Sequence, residues 1–112
     1  MQTGIVSLSQ LRYFVAVAEE GHVGRAAHRL HVAQPPLSRQ IRALEDEVGA
    51  ALFTRTPRGM TLLPAGQVFL DHARAILSAV DRAVEAVRFE QDSATAQSAP
   101  LTRPRASGRA AL

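Results

Sequence analysis

The chain contains no cysteine, no lysine and no tryptophan, and all 13 of its basic residues are arginine. Without cysteine, neither a disulfide framework nor a thiolate zinc site can form. No apolar run approaches the roughly 18 residues that a membrane helix requires, and the N-terminus lacks a basic-then-apolar signal pattern. We therefore expect a soluble, cytosolic protein with no membrane partner.

The sequence also lacks the motifs of the common enzyme classes. It has no glycine-rich phosphate loop, no nucleophile elbow and no paired carboxylates that would line a cleft. His28 and His31 lie three residues apart, but neither has a cysteine or a carboxylate at ligand spacing, so exposed helix-end histidines explain them better than a metal site. We predict that the chain is not an enzyme and holds no cofactor and no metal.

The net charge of +3 is unevenly distributed. Residues 1–60 hold seven arginines against five acids, residues 61–92 three against five, and residues 93–112 three against none, which gives +2, −2 and +3. Arginine favours forked contacts with phosphate and guanine, whereas a GC-rich coding sequence would raise the arginine content without any function. The total leaves both explanations open, so local clustering has to decide.

Two short helices are predicted at the start of the chain. Ser7 and Gln10 form a capping-box pattern, and helix-spaced apolar residues follow, which predicts a helix over roughly 7–20. A second helix is predicted over roughly 23–30. The break at residues 31–33 is so short that the next helix follows at once, and this spacing is typical of a helix-turn-helix.

The third predicted helix begins at the Gln34-Pro35-Pro36 segment and ends before Gly49. Its apolar side chains recur at helical spacing and form one stripe, which consists of Leu37, Ile41, Leu44 and Val48. The opposite side is polar and basic, and consists of Pro35, Arg39 and Arg42, with Ser38 beside them. An apolar stripe that anchors the helix and an arginine edge that projects from it suit entry into a DNA groove.

Only the N-terminal half of this helix is expected to meet DNA. The unpaired N–H groups of its first turn and the positive end of its dipole suit a phosphate. Near its C-terminal end, Glu45, Asp46 and Glu47 would be repelled by phosphates.

A small β-hairpin is predicted over about 52–63. Two short apolar pieces flank the Thr56-Pro57-Arg58-Gly59 segment, which places Arg55 and Arg58 at the tip of the hairpin. A two-stranded ribbon is marginal alone, so it must lean on the helices, where it would form a wing that reaches the DNA backbone or the minor groove. The alternative is a solvated loop with incidental arginines.

A long helix is predicted over roughly 64–90, after Pro64. Its apolar residues follow a heptad pattern, which predicts a dimerisation surface made of Phe69, Ala73, Ile76, Leu77, Val80, Val84 and Val87. Packing of this face into the core of the same chain is the alternative. Residues 91–112 lose the periodicity and are rich in Ser, Ala, Pro and Arg, so we expect a disordered tail there.

Taken together, these residues resemble the N-terminal DNA-binding domain and linker helix of LysR-type transcriptional regulators. The resemblance covers roughly residues 7–90 and rests on several segments in the same order: Leu11 to Glu20, Ala26-Ala27, Leu30, Val32 to Ile41, Leu44-Glu45, Gly49, Leu52-Phe53, Arg55, Arg58, Leu62 and Ala65-Gly66.

The resemblance implies a mainly α fold. Residues 1–63 would form a winged helix-turn-helix of three helices and a β-hairpin, with the helix-turn-helix over about 23–42, and residues 64–90 would form the helix that pairs two subunits. Contacts with DNA are expected from the recognition helix, the wing and one secondary position, namely from Gln34, Pro35, Pro36, Ser38, Arg39 and Arg42, from Arg55 and Arg58, and from Arg25.

Three departures from the family pattern stand out. The second helix usually opens with Ser, an aromatic residue and Thr or Ser, but here with His22-Val23-Gly24, which removes a hydroxyl often used on phosphate, and Arg25 is the candidate to compensate. Leu63 replaces the usual threonine cap, at a cost of about 1 kcal/mol. The effector-binding domain of the family has no counterpart in residues 91–112.

We therefore expect a homodimer that binds double-stranded DNA sequence-specifically and regulates transcription in the cytoplasm, at the nucleoid, without its own ligand sensor or small-molecule effector site. The alternative is a truncated remnant or interaction module that acts mainly by pairing with full-length relatives. An engineered DNA-binding fragment is a third reading of the same sequence.

Overall fold

A computed structural model describes residues 5–98 of the chain, and their side chains as far as residue 94. The elements in chain order are α1 Leu8–Glu20, α2 Val23–Leu30, α3 Gln34–Val48, β1 Phe53–Thr56, β2 Gly59–Leu62 and α4 Pro64–Ser98. This mainly helical order, with one hairpin after the second and third helices and a long helix at the end, confirms the predicted winged helix-turn-helix.

The predicted capping box starts α1. The N–H of Gln10 donates to Ser7 Oγ over 3.1 Å, and the N–H of Ser7 donates to Gln10 Oε1 over 2.9 Å. Each bond satisfies a backbone donor that a helix start would otherwise leave unpaired. The helix ends at Gly21, whose φ of 69° is left-handed and whose N–H donates to the Val17 carbonyl.

The turn between α2 and α3 is built on a left-handed residue that is not glycine. His31 has a φ of 59°, and its N–H donates to the His28 carbonyl over 3.2 Å. Val32 continues the turn by donating its N–H to the Ala27 carbonyl over 3.0 Å. The chain therefore reverses within three residues, as the spacing predicted.

The core lies where α1, α2 and α3 meet the hairpin and the beginning of α4. Phe14 is fully buried at its centre, with the ring of Phe53 at 5.3 Å on one side and the ring of Phe69 edge-on at 5.1 Å on the other. From α3, the three residues at the predicted helical spacing are buried, namely Leu37, Ile41 and Leu44. The apolar stripe of α3 therefore faces inward, and its polar side is left at the surface.

The long helix continues further than predicted. α4 runs from Pro64 to Ser98, so residues 91–98, expected to be part of a disordered tail, are helical. A helix does not need to bury apolar surface at every turn, because alanine and glutamine are good helix formers, and this stretch contains both. The remainder of the predicted tail lies outside the described residues. The first compact unit of the chain ends at Leu77, within α4, and the second starts at Ser78.

Candidate nucleic-acid interface

The exposed side of α3 divides into two neighbouring strips. Arg39 and Arg42 are exposed and lie with Pro35 on the outer strip. Gln34 and Ser38, one turn apart, form the second strip, which faces the hairpin. The sequence analysis placed Pro35, Arg39 and Arg42 on one side of the helix with Ser38 beside them, and the structure has the same arrangement, with Gln34 next to Ser38.

The first turn of α3 carries fewer backbone donors than the sequence analysis assumed. Ala33 precedes the helix and provides no side-chain cap, and Pro35 and Pro36 have no N–H group. The N–H of Leu37 donates to the Ala33 carbonyl over 3.3 Å. Gln34 is therefore the one residue of positions 34–37 whose N–H is neither missing nor bonded to Ala33, so the expectation of several open N–H groups for a phosphate was wrong. A ligand at this end of α3 would therefore meet mainly side chains, together with the one N–H of Gln34.

A shallow cleft of about 260 Å³ separates α3 from the hairpin and the start of α2. Its polar lining comes from three parts of the chain, namely His22 before α2, Gln34 and Ser38 on α3, and Arg55 and Thr56 on β1. No carboxylate is among its lining residues, so hydrogen-bond donors of neutral or positive side chains dominate it.

The hairpin is attached to the helices at two points. Glu45 Oε2, on α3, accepts the N–H of Leu52 over 2.8 Å and that of Phe53 over 3.2 Å. At the other strand, Met60 donates its N–H to the Gly21 carbonyl over 3.0 Å. Glu45 was interpreted from the sequence only as an acid repelled by phosphates, but it is the residue that fixes the wing against the recognition helix. The sequence offered one indication of this role. A carboxylate near a helix C-terminus is unfavourable for the helix dipole, so its presence there calls for another interaction.

The two predicted wing arginines lie in different places. β1 and β2 pair antiparallel with Arg55 opposite Met60 and Thr56 opposite Gly59, so the turn falls on Pro57 and Arg58. Arg58 is therefore at the tip and exposed, as predicted.

The placement of Arg55 at the tip was wrong. Its side chain lies back along the hairpin, where Nη1 is 3.4 Å from Met60 Sδ and Nη2 is 3.9 Å from Glu45 Oε1. A residue inside a strand cannot reach the tip, because two residues already complete the turn. Arg55 instead forms a wall of the cleft.

Arg25, the predicted secondary contact, is bound to the end of α1. Its Nη2 donates to the Glu20 carbonyl over 2.8 Å, and its Nε lies 3.9 Å from Glu20 Oε1. Arg29 joins the same acidic end through Glu20 Oε2 at 3.2 Å and Glu19 Oε1 at 2.8 Å. Arg74 donates to Glu19 Oε2 over 2.9 Å. The hydrogen bonds from Arg74 and Arg29 lower the pKa of Glu19, so this cluster ties α1, α2 and α4 together in its charged form.

The predicted dimerisation residues divide by exposure. Three are exposed, namely Ile76, Val84 and Val87, at intervals of eight and three residues, and Val80 is half-buried between the first two. Phe69 and Leu77 are partly buried against the core of this chain. Ala73 is fully buried there, so it has no surface for a second copy and its assignment to the dimer was wrong. The heptad pattern did not separate the side of α4 that packs on its own domain from the side that faces solvent.

The part of the chain that the structure describes contains neither a cluster of metal-ligating side chains nor a membrane-spanning helix. Across residues 5–98, His, Asp and Glu side chains form no group of three or more that could hold a metal ion. None of the helices described here has an apolar stretch long enough to span a bilayer.

Comparison with known families matches this architecture. Residues 8–67 match the family described as bacterial regulatory helix-turn-helix protein, lysR family. This match covers more than half of the chain, from the first helix through the wing to the start of α4. The chain therefore belongs to the LysR family of bacterial DNA-binding transcription regulators, as the sequence resemblance implied.

The curated relatives are longer than this chain. It is 58% identical over 77 residues to the HTH-type transcriptional regulator TfdT of Cupriavidus pinatubonensis, which covers 69% of this chain and 34% of TfdT. It is 60% identical over 68 residues to the HTH-type transcriptional regulator ClcR of Pseudomonas putida, which covers 61% of this chain and 23% of ClcR. The matched region thus spans about a third or less of these relatives.

Two solved structures of similar fold contain DNA. The CbnR_DBD-DNA complex superimposes with a TM-score of 0.74 at 45% identity and covers 77% of this chain and 99% of that chain. The BenM_DBD/benA site 1 DNA complex gives a TM-score of 0.71 at 46% identity and covers 74% of this chain and 96% of that chain.

Proposed function

We propose that this chain binds double-stranded DNA sequence-specifically and regulates transcription as a homodimer. The observation that carries the proposal is the orientation of α3. Its apolar side is fixed in the core by Leu37, Ile41 and Leu44, while the side that begins at Gln34 is exposed beside the wing. A helix held in this way leaves the exposed side of its first turns free to enter the major groove.

The two strips on α3 suggest different contacts with DNA in such a complex. Arg39 is long, forked and exposed, so it can reach guanine O6 and N7 or a phosphate. Arg42 follows one turn later, closer to the edge of the groove. Gln34, with Pro35 and Pro36 beside it, would lie at the floor and walls of the groove, and Ser38 would lie beside the wing. Arg58, at the hairpin tip, would contact the backbone or the minor groove.

We expect Arg39→Ala to weaken binding to the specific site by about 1–3 kcal/mol and to relax the preference for one base pair, because a forked base contact is lost. Arg58→Ala is the matched control, since it removes the same side chain from the wing tip. It should weaken all duplexes similarly and reduce the slope of binding against salt concentration. The measurement is fluorescence anisotropy against sites selected from random DNA, with the salt concentration varied.

Unchanged affinity of Arg39→Ala at every salt concentration would remove this residue from the interface. A selection that enriches no sequence at all would contradict sequence-specific binding by the domain.

The homodimer proposal rests on the exposed apolar side of α4. Ile76 is 44% exposed, Val84 42% and Val87 67%, and the helical repeat places all three on one side of α4. A second copy of the same helix would cover them by heptad packing. Two recognition helices would then address half-sites about one helical turn apart on the same face of the duplex.

We expect Val87→Glu to shift the protein towards monomers without unfolding the DNA-binding unit, because a charge would be buried at the centre of the paired helices. Val68→Glu is the control, since Val68 is 61% exposed but lies off the heptad seam. Sedimentation velocity over a concentration series measures the change, and circular dichroism reports the fold. If Val87→Glu and Val68→Glu leave the same dimer fraction, the seam is not the dimer surface.

The same seam would also accept the corresponding helix of a longer family member. This second role is favoured by the identity to TfdT, which extends beyond the wing into the region of α4. Co-sedimentation with a full-length relative such as TfdT tests this role, and Val87→Glu, which should not co-sediment, is the negative control. We propose that both roles, as a homodimer and in a pair with a longer family member, take place on DNA at the nucleoid in the cytoplasm. Neither role requires a cofactor or an enzymatic step.

A further inference from the structure

Glu45 is a carboxylate on the very helix that is proposed to enter the DNA groove. A negative charge on α3 repels phosphates, so electrostatics alone predicts that it weakens binding. The side chain of Glu45 is nevertheless only 15% exposed, and its two oxygens lie against residues 52–55. A carboxylate is withdrawn from water to this extent only where other donors replace the water.

Three donors from the hairpin and its base surround this carboxylate. Oε2 accepts the N–H of Leu52 over 2.8 Å and the N–H of Phe53 over 3.2 Å, where the chain enters β1. Oε1 lies 3.9 Å from Arg55 Nη2, two residues further along the same strand. Hydrogen bonds to a carboxylate are shorter and stronger than those to a neutral acceptor. One side chain of α3 therefore holds the backbone at the base of the hairpin and attracts the guanidinium beside it.

The hairpin depends on such attachments, because a two-stranded ribbon is marginal on its own. On the second strand, the N–H of Met60 donates to the Gly21 carbonyl over 3.0 Å. The two strands are thus held separately, the first by Glu45 of α3 and the second by the end of α1. If the first strand lost its bonds to Glu45, the hairpin would be free to tilt about the second.

The arginines of the wing would move with such a tilt. Arg55 forms a wall of the cleft beside α3, and Arg58 lies at the exposed tip. We infer that Glu45 is a positioning residue of the DNA interface, whose carboxylate holds the wing where Arg55 and Arg58 meet the duplex. Loss of this negative charge therefore weakens DNA binding, which is the opposite of the sign that electrostatics predicts. The inference rests on the proposed function, since it needs a bound duplex.

The test compares Glu45→Gln with Asp46→Asn. Both variants replace a carboxylate by an amide of the same shape on neighbouring residues, so they change the net charge equally. Asp46 is exposed, and its side chain takes part in none of the hydrogen bonds or ion pairs that join the described residues to the hairpin. The pair therefore separates the effect of the charge from the effect of the attachment.

We expect Glu45→Gln to bind the selected duplex about fivefold more weakly than the wild type. The amide can offer its oxygen to the two N–H groups only in weaker, neutral bonds, and it then turns its NH2 group towards Arg55. Returning the wing to its place on DNA would cost about 1 kcal/mol, which corresponds to this factor. Asp46→Asn should bind as tightly as the wild type or more tightly, because it only removes a charge that phosphates repel.

A readout specific to the wing comes from adding a second substitution. Arg58→Ala should cost less affinity in the Glu45→Gln protein than in the wild type, because the wing contact is already weakened there. Arg39→Ala should cost the same in both, since Arg39 lies on α3 itself. Fluorescence anisotropy measures the affinities. Hydrogen exchange at the Leu52 and Phe53 amides of the free protein should be faster in Glu45→Gln.

Glu45→Asp is a second variant, which keeps the charge but withdraws the carboxylate by one methylene from the N–H groups. It should also bind more weakly than the wild type, although electrostatics alone predicts no change. Circular dichroism checks that each variant is folded.

Equal affinities of Glu45→Gln and Asp46→Asn would overturn the inference, and so would wild-type affinity of Glu45→Asp. An Arg58→Ala penalty that is the same with and without the Glu45 carboxylate would also overturn it. If the wild type binds no selected duplex, the proposed function fails and the inference fails with it. The other outcomes all require a wild type that binds, so the two failures are distinguishable.

Discussion

Replacing Gly59 by alanine is expected to destabilise the protein by about 2–4 kcal/mol, because two effects add. Gly59 has a φ of 140°, a conformation that side chains rarely adopt. A Cβ at this position would also overlap the carbonyl oxygen of Gly21. That oxygen accepts the N–H of Met60, so relief of the overlap requires the hairpin to move away and break its attachment to the α1–α2 turn.

Gly49→Ala provides the control for Gly59→Ala. Gly49 has a left-handed φ of 78°, but nothing lies within 4 Å of a Cβ built there, so only the conformational penalty of about 1–2 kcal/mol applies. Urea unfolding gives both free energies, and hydrogen exchange at the Met60 amide reports the wing attachment directly. Equal losses for the two variants, with Met60 still protected, would show that the wing tolerates the side chain and that the close approach to Gly21 is not rigid.

We expect Ile41→Ala to cost about 2–5 kcal/mol of unfolding free energy. Ile41 is fully buried between Leu37 and Leu44, in the middle of α3, so the deletion leaves a cavity under the recognition helix. The total free energy of unfolding of a small domain is about 5–15 kcal/mol. Apparent affinity for any duplex should fall only where the remaining stability approaches zero, because only then is an appreciable fraction of the protein unfolded.

Gln40→Ala tests whether this loss comes from the core. Gln40 precedes Ile41 but is exposed, and surface changes of this kind usually stay within about 0.5 kcal/mol. Both variants are compared by urea unfolding at a pH where the wild type is folded. A loss below 1 kcal/mol for Ile41→Ala would contradict the claim that the apolar stripe holds α3 in place.

The helices of the first unit could be predicted from the sequence because their signals are local. The Ser7 capping box and the stripe from Leu37 to Leu44 depend on neighbours three or four residues away, and the structure has them as predicted. The caps of α2 were missed for a different reason. His22 accepts two backbone N–H groups and His31 adopts a left-handed φ, and histidine is not a common residue for either task.

The contacts that shape the site depend on residues far apart in the chain, which no local pattern reveals. Glu45 accepts the N–H groups of Leu52 and Phe53, and Arg55 turns back towards Glu45 instead of reaching the hairpin tip. The extension of α4 to Ser98 was missed because the composition argument considered only burial. Residues of high helix propensity can extend an exposed helix even where little surface is buried, and no proline occurs in the sequence between Pro64 and Pro100.

The acidic end of α1 has a consequence for how such a protein would search a genome. Glu19 and Glu20 lie against the guanidiniums of Arg25, Arg29 and Arg74, so a phosphate at these arginines would compete with two carboxylates. Since non-specific affinity for DNA grows with the number of phosphates neutralised, this competition would lower the affinity of the proposed DNA-binding chain for sequences other than its own site. A weaker hold on other sequences would leave a larger share of the protein for the site that the proposed function requires.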